Sequence, residues 1–125
     1  MNDTNEPTLD DLVGDWSTLP DVAEALDLEI RRVRGLVADR HLVGVKRGER
    51  TTFQVPTAFL VTTDEGTRVL ETLRGTATVL QDAGFDDAEA LRWLFTEQES
   101  LGTTPIAAMR AGRRAEVRRL AQALA

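Results

Sequence analysis

Apolar residues fall at helical spacing along most of the chain. Leu9, Leu12, Val13 and Trp16 predict a short helix covering part of a core. Ser17 and Thr18 then stand where a helix cap belongs, ahead of Pro20, a good first-turn residue. Val22, Ala23 and Leu26 share one face of the helix that follows. Asp27 ends it, in a position that asks for the left-handed backbone angles Asp tolerates better than most residues. From about Glu29 to Arg40 a second helix is predicted, with Ile30, Val33, Leu36 and Val37 as its buried stripe. Arg31, Arg32 and Arg34 lie on the opposite face.

The period then changes. Leu42-Val43-Gly44-Val45 reads as a strand, Lys46-Arg47-Gly48-Glu49-Arg50 as a turn, and Thr51-Thr52-Phe53-Gln54-Val55 as a returning strand. Pro56 closes the hairpin and begins a helix through Leu60. The remaining half is predicted to be helical. One segment runs from Val69 to Leu80 and is interrupted by Gly75, as two short helices or one weak one, and a second is capped by Asp86 or Asp87 and ends at Phe95. A short helix starts at Pro105, and a last one buries Val117, Leu120, Ala121 and Leu124. Helix, tight turn, helix, hairpin is the layout of a winged helix-turn-helix. The expected fold is therefore mainly α with a small β-hairpin. It divides into an acidic tail and short helix (1–16), a winged helix-turn-helix (17–60) and a helical C-terminal domain (61–125) for interaction or dimerisation. Met1–Thr8, polar and containing Pro7, is expected to be a mobile tail.

Charge sharpens this picture. The 125 residues carry a net charge of −6, which taken alone argues against a nucleic-acid partner. Residues 1–16 hold five acids and no base, whereas residues 29–50 hold seven bases against three acids. A basic segment inside an acidic chain can still dock a phosphate backbone, because the local field governs. Guanidinium forks on Arg31, Arg32 and Arg34 suit guanine edges in a major groove or phosphate oxygens. Lys46, Arg47 and Arg50 at the hairpin would meet phosphates or the minor groove, with Arg40 and His41 at the end of the recognition helix. The expected partner is double-stranded DNA, and the expected role is transcriptional regulation.

Other classes lack their residues. With no cysteine and one histidine, the chain has neither a thiolate metal site nor a Ser/His/Asp set. No glycine-rich phosphate loop occurs, and Asp86, Asp87 and Glu89 are accounted for as a helix start. An enzyme, a cofactor and a metal are therefore not expected. No apolar run approaches a membrane span and the N-terminus lacks a signal-peptide pattern, so the expected location is the cytoplasm. Trp93, among Leu91, Leu94 and Phe95, reads as a core anchor. Arg110, Arg113, Arg114, Arg118 and Arg119 crowd the last two helices. They would serve helix C-termini, a wider DNA footprint or the acidic tail, and the sequence does not choose.

Two resemblances add to this reading. Leu19–Leu28, then Val33-Arg34, Leu36-Val37, Leu42, Val45 and Gln54-Val55-Pro56, resemble the excisionase and MerR-type winged-helix motif over about a third of the chain. Asp27 stands where that motif usually has glycine, and Gly35 where it usually has a second basic residue. Over most of residues 17–125 the chain is similar to a small actinobacterial family, through Gly84-Phe85, Arg92-Trp93-Leu94-Phe95-Thr96, Ser100-Leu101, Pro105-Ile106 and Glu116–Ala123. That resemblance implies a DNA-binding winged helix joined to a helical C-terminal domain. It also implies phosphorylation of an N-terminal threonine by a transmembrane Ser/Thr protein kinase, with Thr8 the first candidate and Thr4 the second. A fainter likeness to the toxin-binding domain of antitoxins implies the alternative, a protein-interaction module. Residues 86–125 would then bind a partner protein or a second copy of the chain.

Overall fold

The computed structural model describes residues 7–124. Thr8 is the N-cap of α1 (Leu9–Val13), its Oγ1 accepting from the Asp11 amide at 3.1 Å. Of the expected mobile tail, Met1–Glu6 lie outside the described residues, as does Thr4. Pro7 and Thr8 are instead held in place, since the Pro7 carbonyl also accepts from Arg92 at 3.1 Å. Trp16 leaves the helical pattern for β1 (Trp16–Thr18).

Thr18 opens α2 (Leu19–Leu26) with a capping box closed by Asp21, and Pro20 lies in the first turn. Asp27 ends α2 in the left-handed region at φ 57°, ψ 48°, as its position in the sequence predicts. The turn leads to α3 (Ile30–Ala38), one or two residues shorter at each end than the periodicity suggests. α3 closes through Arg40, which takes φ 67° so that the His41 amide reaches the Leu36 carbonyl at 2.8 Å. That bond, with Arg40 to Val37 at 3.1 Å, is the Schellman pattern, here built on a residue with a Cβ.

The wing is shifted along the chain from its expected bounds. Leu42, Val43 and Gly44 are buried but make no ladder, and the strands are β2 (Val45–Arg47) and β3 (Thr52–Pro56). Lys46 and Arg47 are therefore strand residues, and the turn is Gly48–Thr51, with Gly48 and Thr51 both at positive φ. Gly44 is required by close approach, because a Cβ there would stand 2.8 Å from Val55 Cγ1 and 2.9 Å from Phe53 Cζ. β1 pairs antiparallel with β3, giving a three-stranded sheet in the order β1-β3-β2.

Beyond the wing two expectations are corrected. The helix proposed from Pro56 is a single 3-10 turn (Thr57–Phe59), and a second hairpin follows, β4 (Leu60–Thr63) and β5 (Gly66–Val69). The segment from Val69 is strand end and turn before α4 (Leu73–Asp82), which runs unbroken through Gly75. α5 (Asp87–Leu94) carries a capping box from Asp86 to Glu89, and α6 (Pro105–Arg110) and α7 (Arg114–Gln122) complete the helical half. Leu124, read as inward-facing, lies beyond α7 and is exposed. The fold is mainly α with small antiparallel sheets. Val22, Val33, Val55 and Phe59 from the winged helix form one continuous core with Leu73, Leu80, Leu91, Leu94 and Val117, with Trp93 packed against it.

Candidate nucleic-acid interface

α3 is amphipathic in the sense the interface needs. Val33 is fully buried, Ile30, Leu36 and Val37 are half-buried, and Arg31, Arg32 and Arg34 project to solvent. Gly35 lies within that solvent face, and a Cβ there would meet nothing within 4 Å. Arg31 has only a loose ion pair with Glu29 at 3.8 Å, with side chains 85% and 78% exposed, which is worth little. Arg32, Arg34, Lys46 and Arg50 have no carboxylate within ion-pair distance among the described residues. Desolvated pairing would have to be broken before such groups met phosphate. These five are free of it.

The other three candidates sit differently. Arg40 turns inward, its side chain 21% exposed, and donates to Asp87 Oδ1 at the start of α5 at 2.7 Å. Its Nε and Nη2 are buried without a partner. Arg74 adds a second tie, donating from α4 to the Asp39 carbonyl at 2.9 Å. The C-terminal end of α3 is thus fastened to two helices of the C-terminal half. His41 is half-buried, and its amide closes the turn after α3.

Arg47 is engaged from three sides. Its guanidinium stacks 4.6 Å above the Trp16 ring, Nη1 donates to Gln54 Oε1 at 2.9 Å, and Nε donates to Asp10 Oδ1 at 3.0 Å. The hydrogen bond from Arg47 holds the Asp10 carboxyl below the usual carboxylate range; desolvation works against it and the charge of Arg47 adds to it. Asp10, Trp16, Gln54 and Asp87 were not identified by the sequence pattern as site residues. Asp10 lies 37 residues from Arg47 and Asp87 47 residues from Arg40, and no local spacing announces such a pair.

Arg110, one of the C-terminal arginines, donates from Nη1 to the Ala58 and Leu60 carbonyls at 2.6 and 2.9 Å, fastening α6 to the 3-10 turn after the wing. Arg113 forms a forked pair with Glu116 at 2.9 and 3.0 Å. No cluster of metal-ligating side chains occurs among the described residues.

Residues 5–60 match the family model described as the DNA-binding protein Rv2175c, wHTH domain, and residues 70–125 match the Rv2175c C-terminal domain of unknown function. The chain belongs to the Rv2175c family. It is 36% identical over 135 aligned positions to the DNA-binding protein Rv2175c of Mycobacterium tuberculosis (strain ATCC 25618 / H37Rv), covering 98% of this chain and 84% of that protein. The NMR structure of Rv2175c superposes with a TM-score of 0.75 at 33% identity, over 99% of this chain and 84% of that one. The actinobacterial winged-helix family suggested by Arg92–Thr96 and its neighbours is thereby established, and it is not an enzyme family. No helix among the described residues is long and apolar enough to cross a membrane.

Proposed function

We propose that this protein binds duplex DNA with α3 in the major groove and the wing on the adjoining backbone, as a cytoplasmic transcriptional regulator. The observation that carries the reading is the set of exposed cations on α3 and the wing: Arg31, Arg32, Arg34, Lys46 and Arg50. They project from α3 and the wing, and the buried Val33, Val43 and Val55 of this region belong to one core. The match to a family described as DNA-binding supports it. Arg31 and Arg34 lie on one side of α3 at i, i+3, suited to base edges, while Lys46 and Arg50 suit phosphates. Arg40 acts indirectly, by setting the end of α3 against the C-terminal half, and His41 by closing the turn after α3. Arg47 reaches DNA only by leaving Asp10.

Thr8 gives this reading a regulatory form. Its hydroxyl caps α1 beside Asp10 and Asp11, and Asp10 touches the wing. A phosphate on Thr8, added by a Ser/Thr kinase, brings about −1.5 to −2 charge to the helix that meets Arg47. The attraction of the wing for DNA phosphates falls accordingly.

The test is fluorescence anisotropy with a mixed duplex pool across a salt series. It compares the parent with Arg31→Ala/Arg32→Ala/Arg34→Ala and with Thr8→Glu. The parent binds, log affinity falls linearly with log salt, and the triple variant loses most of the binding with a shallower slope, by roughly 0.9 per lost phosphate contact. Equal binding by parent and triple variant at low salt overturns the assignment to α3. Equal binding by Thr8→Glu overturns only the role of Thr8.

A further inference from the structure

The C-terminal half carries a basic feature that the DNA reading does not use. A recess of about 510 Å³ lies between α4 and α7, lined by Glu71, Thr72, Gly75, Thr76, Arg114 and Arg118. A second, of about 270 Å³, adjoins it, sharing Glu71, Thr72 and Arg114 and adding Arg68 from β5. Four guanidinium groups from three elements, Arg68 on β5, Arg110 on α6 and Arg114 and Arg118 on α7, thus border one concave surface, and that of Arg110 already donates to the Ala58 and Leu60 carbonyls. Among the described residues, none of Arg68, Arg114 and Arg118 has a carboxylate within 4.0 Å, although Glu71 lines both recesses.

The wall they face is built to receive negative charge. α4 begins there, at Thr72, with no side-chain cap and no acid in its first turn, and Glu71, just before it, is the one carboxylate of the lining. Thr72 lines both recesses and is half-buried, with its Oγ1 itself closed off from solvent and without a hydrogen-bond partner. Gly75 is the third element of the wall. A glycine inside a helix costs about 1 kcal/mol relative to alanine, and this one has no positive φ to justify it. A Cβ at Gly75 would lie 3.4 Å from Arg118 Nη1, an ordinary van der Waals contact, so the guanidinium lies directly over α4 at this point.

We propose that these two recesses form a binding site for a small phosphorylated molecule bearing hydroxyl groups, a sugar phosphate or nucleotide. Arg114 and Arg118, with the amides at the start of α4, take the phosphoryl oxygens, since planar guanidinium forks match that geometry. Arg68 meets the phosphate from the opposite side. Glu71 accepts from a ligand hydroxyl, and the same carboxylate repels a continuous polyanion, which favours the small ligand over a stretch of DNA backbone. The combined space is of the size that small-molecule sites occupy, roughly 300–1,000 Å³.

The experiment is a titration of the full chain with ribose 5-phosphate, and in parallel arms with inorganic phosphate and with a short DNA duplex. It is followed by backbone amide NMR. Ribose 5-phosphate is expected to move the amides of Thr72–Thr76 and Arg114–Arg118. Arg114→Gln/Arg118→Gln and, separately, Arg68→Gln weaken that binding by about tenfold, while Arg31→Ala/Arg32→Ala/Arg34→Ala leaves it unchanged. The two glutamine variants sit on different elements, and the amide spectrum reports whether each is folded. The proposal is overturned by absence of shifts at millimolar ligand, or by shifts that survive both glutamine variants. Equal affinity for inorganic phosphate overturns the organic ligand. Shifts produced by duplex alone make this face part of the DNA contact instead.

Discussion

Replacing Gly35 with alanine is expected to stabilise the free protein and weaken its DNA complex. Gly35 lies inside α3 with ordinary helical angles, and a Cβ there meets no atom within 4 Å. The substitution therefore carries no steric penalty and removes the backbone freedom that glycine has in the unfolded chain. Helix-interior glycines cost about 0.5–1 kcal/mol against alanine. For a chain of this size that corresponds to a rise in Tm of about 2–6 °C, read by far-UV circular dichroism. The same methyl stands on the exposed face of α3, one turn beyond Arg31 and Arg32, on the face proposed to enter the groove. Anisotropy with duplex DNA is expected to show several-fold weaker binding by the more stable variant. A Tm that stays level or falls refutes the open environment assigned to Gly35. A raised Tm with undiminished DNA binding refutes the use of this face in the groove.

Three further outcomes follow from the geometry. Arg40→Ala breaks the Asp87 tie at a residue whose side chain is 21% exposed, while Asp87, 48% exposed, rehydrates. The expected loss is about 1–2 kcal/mol by urea denaturation. Arg40→Gly is expected to lose about 1 kcal/mol less, because it relieves the left-handed backbone at φ 67°, and equal losses would contradict this account. Gly44→Ala forces β3 away from its neighbour and is expected to destabilise by at least about 1–3 kcal/mol, measured by thermal melt, in contrast to Gly35→Ala. The carboxyls of Asp10 and Glu116 are both held low, chiefly by hydrogen bonds from Arg47 and Arg113. Their contributions are complete above the ordinary carboxylate pKa and are lost as pH falls through the depressed folded values. Carboxyl-carbon NMR titration of parent and Arg47→Ala checks this: the Asp10 midpoint moves up in the variant, and an unmoved midpoint would remove the contact from solution.

The helix-turn-helix was legible because each of its signals is local. Thr18 and Asp21 cap α2 within four residues, Asp27 makes the turn from its own side chain type, and Val33 with its neighbours marks the buried stripe of α3. The capping box at Asp86 and Glu89 placed α5 by the same logic. β1 was not legible: three residues acquire a strand conformation only because β3 runs beside them, 38 residues away at Ser17 and Val55. The β4–β5 hairpin was missed because four-residue strands are too short for alternation to stand out.

Among the basic residues the division has the same cause. Residue type and helical period alone established that Arg31, Arg32 and Arg34 face away from the core of α3, since exposure on a helix is a matter of phase. The fates of Arg40 and Arg47 were settled by tertiary structure. In sequence they continue the same basic run, yet Asp87 and the Asp10–Trp16–Gln54 set draw them onto the protein itself. A long cationic side chain pairs with whatever acceptor the fold brings within reach, and which acceptor that is depends on packing between segments, not on neighbours along the chain.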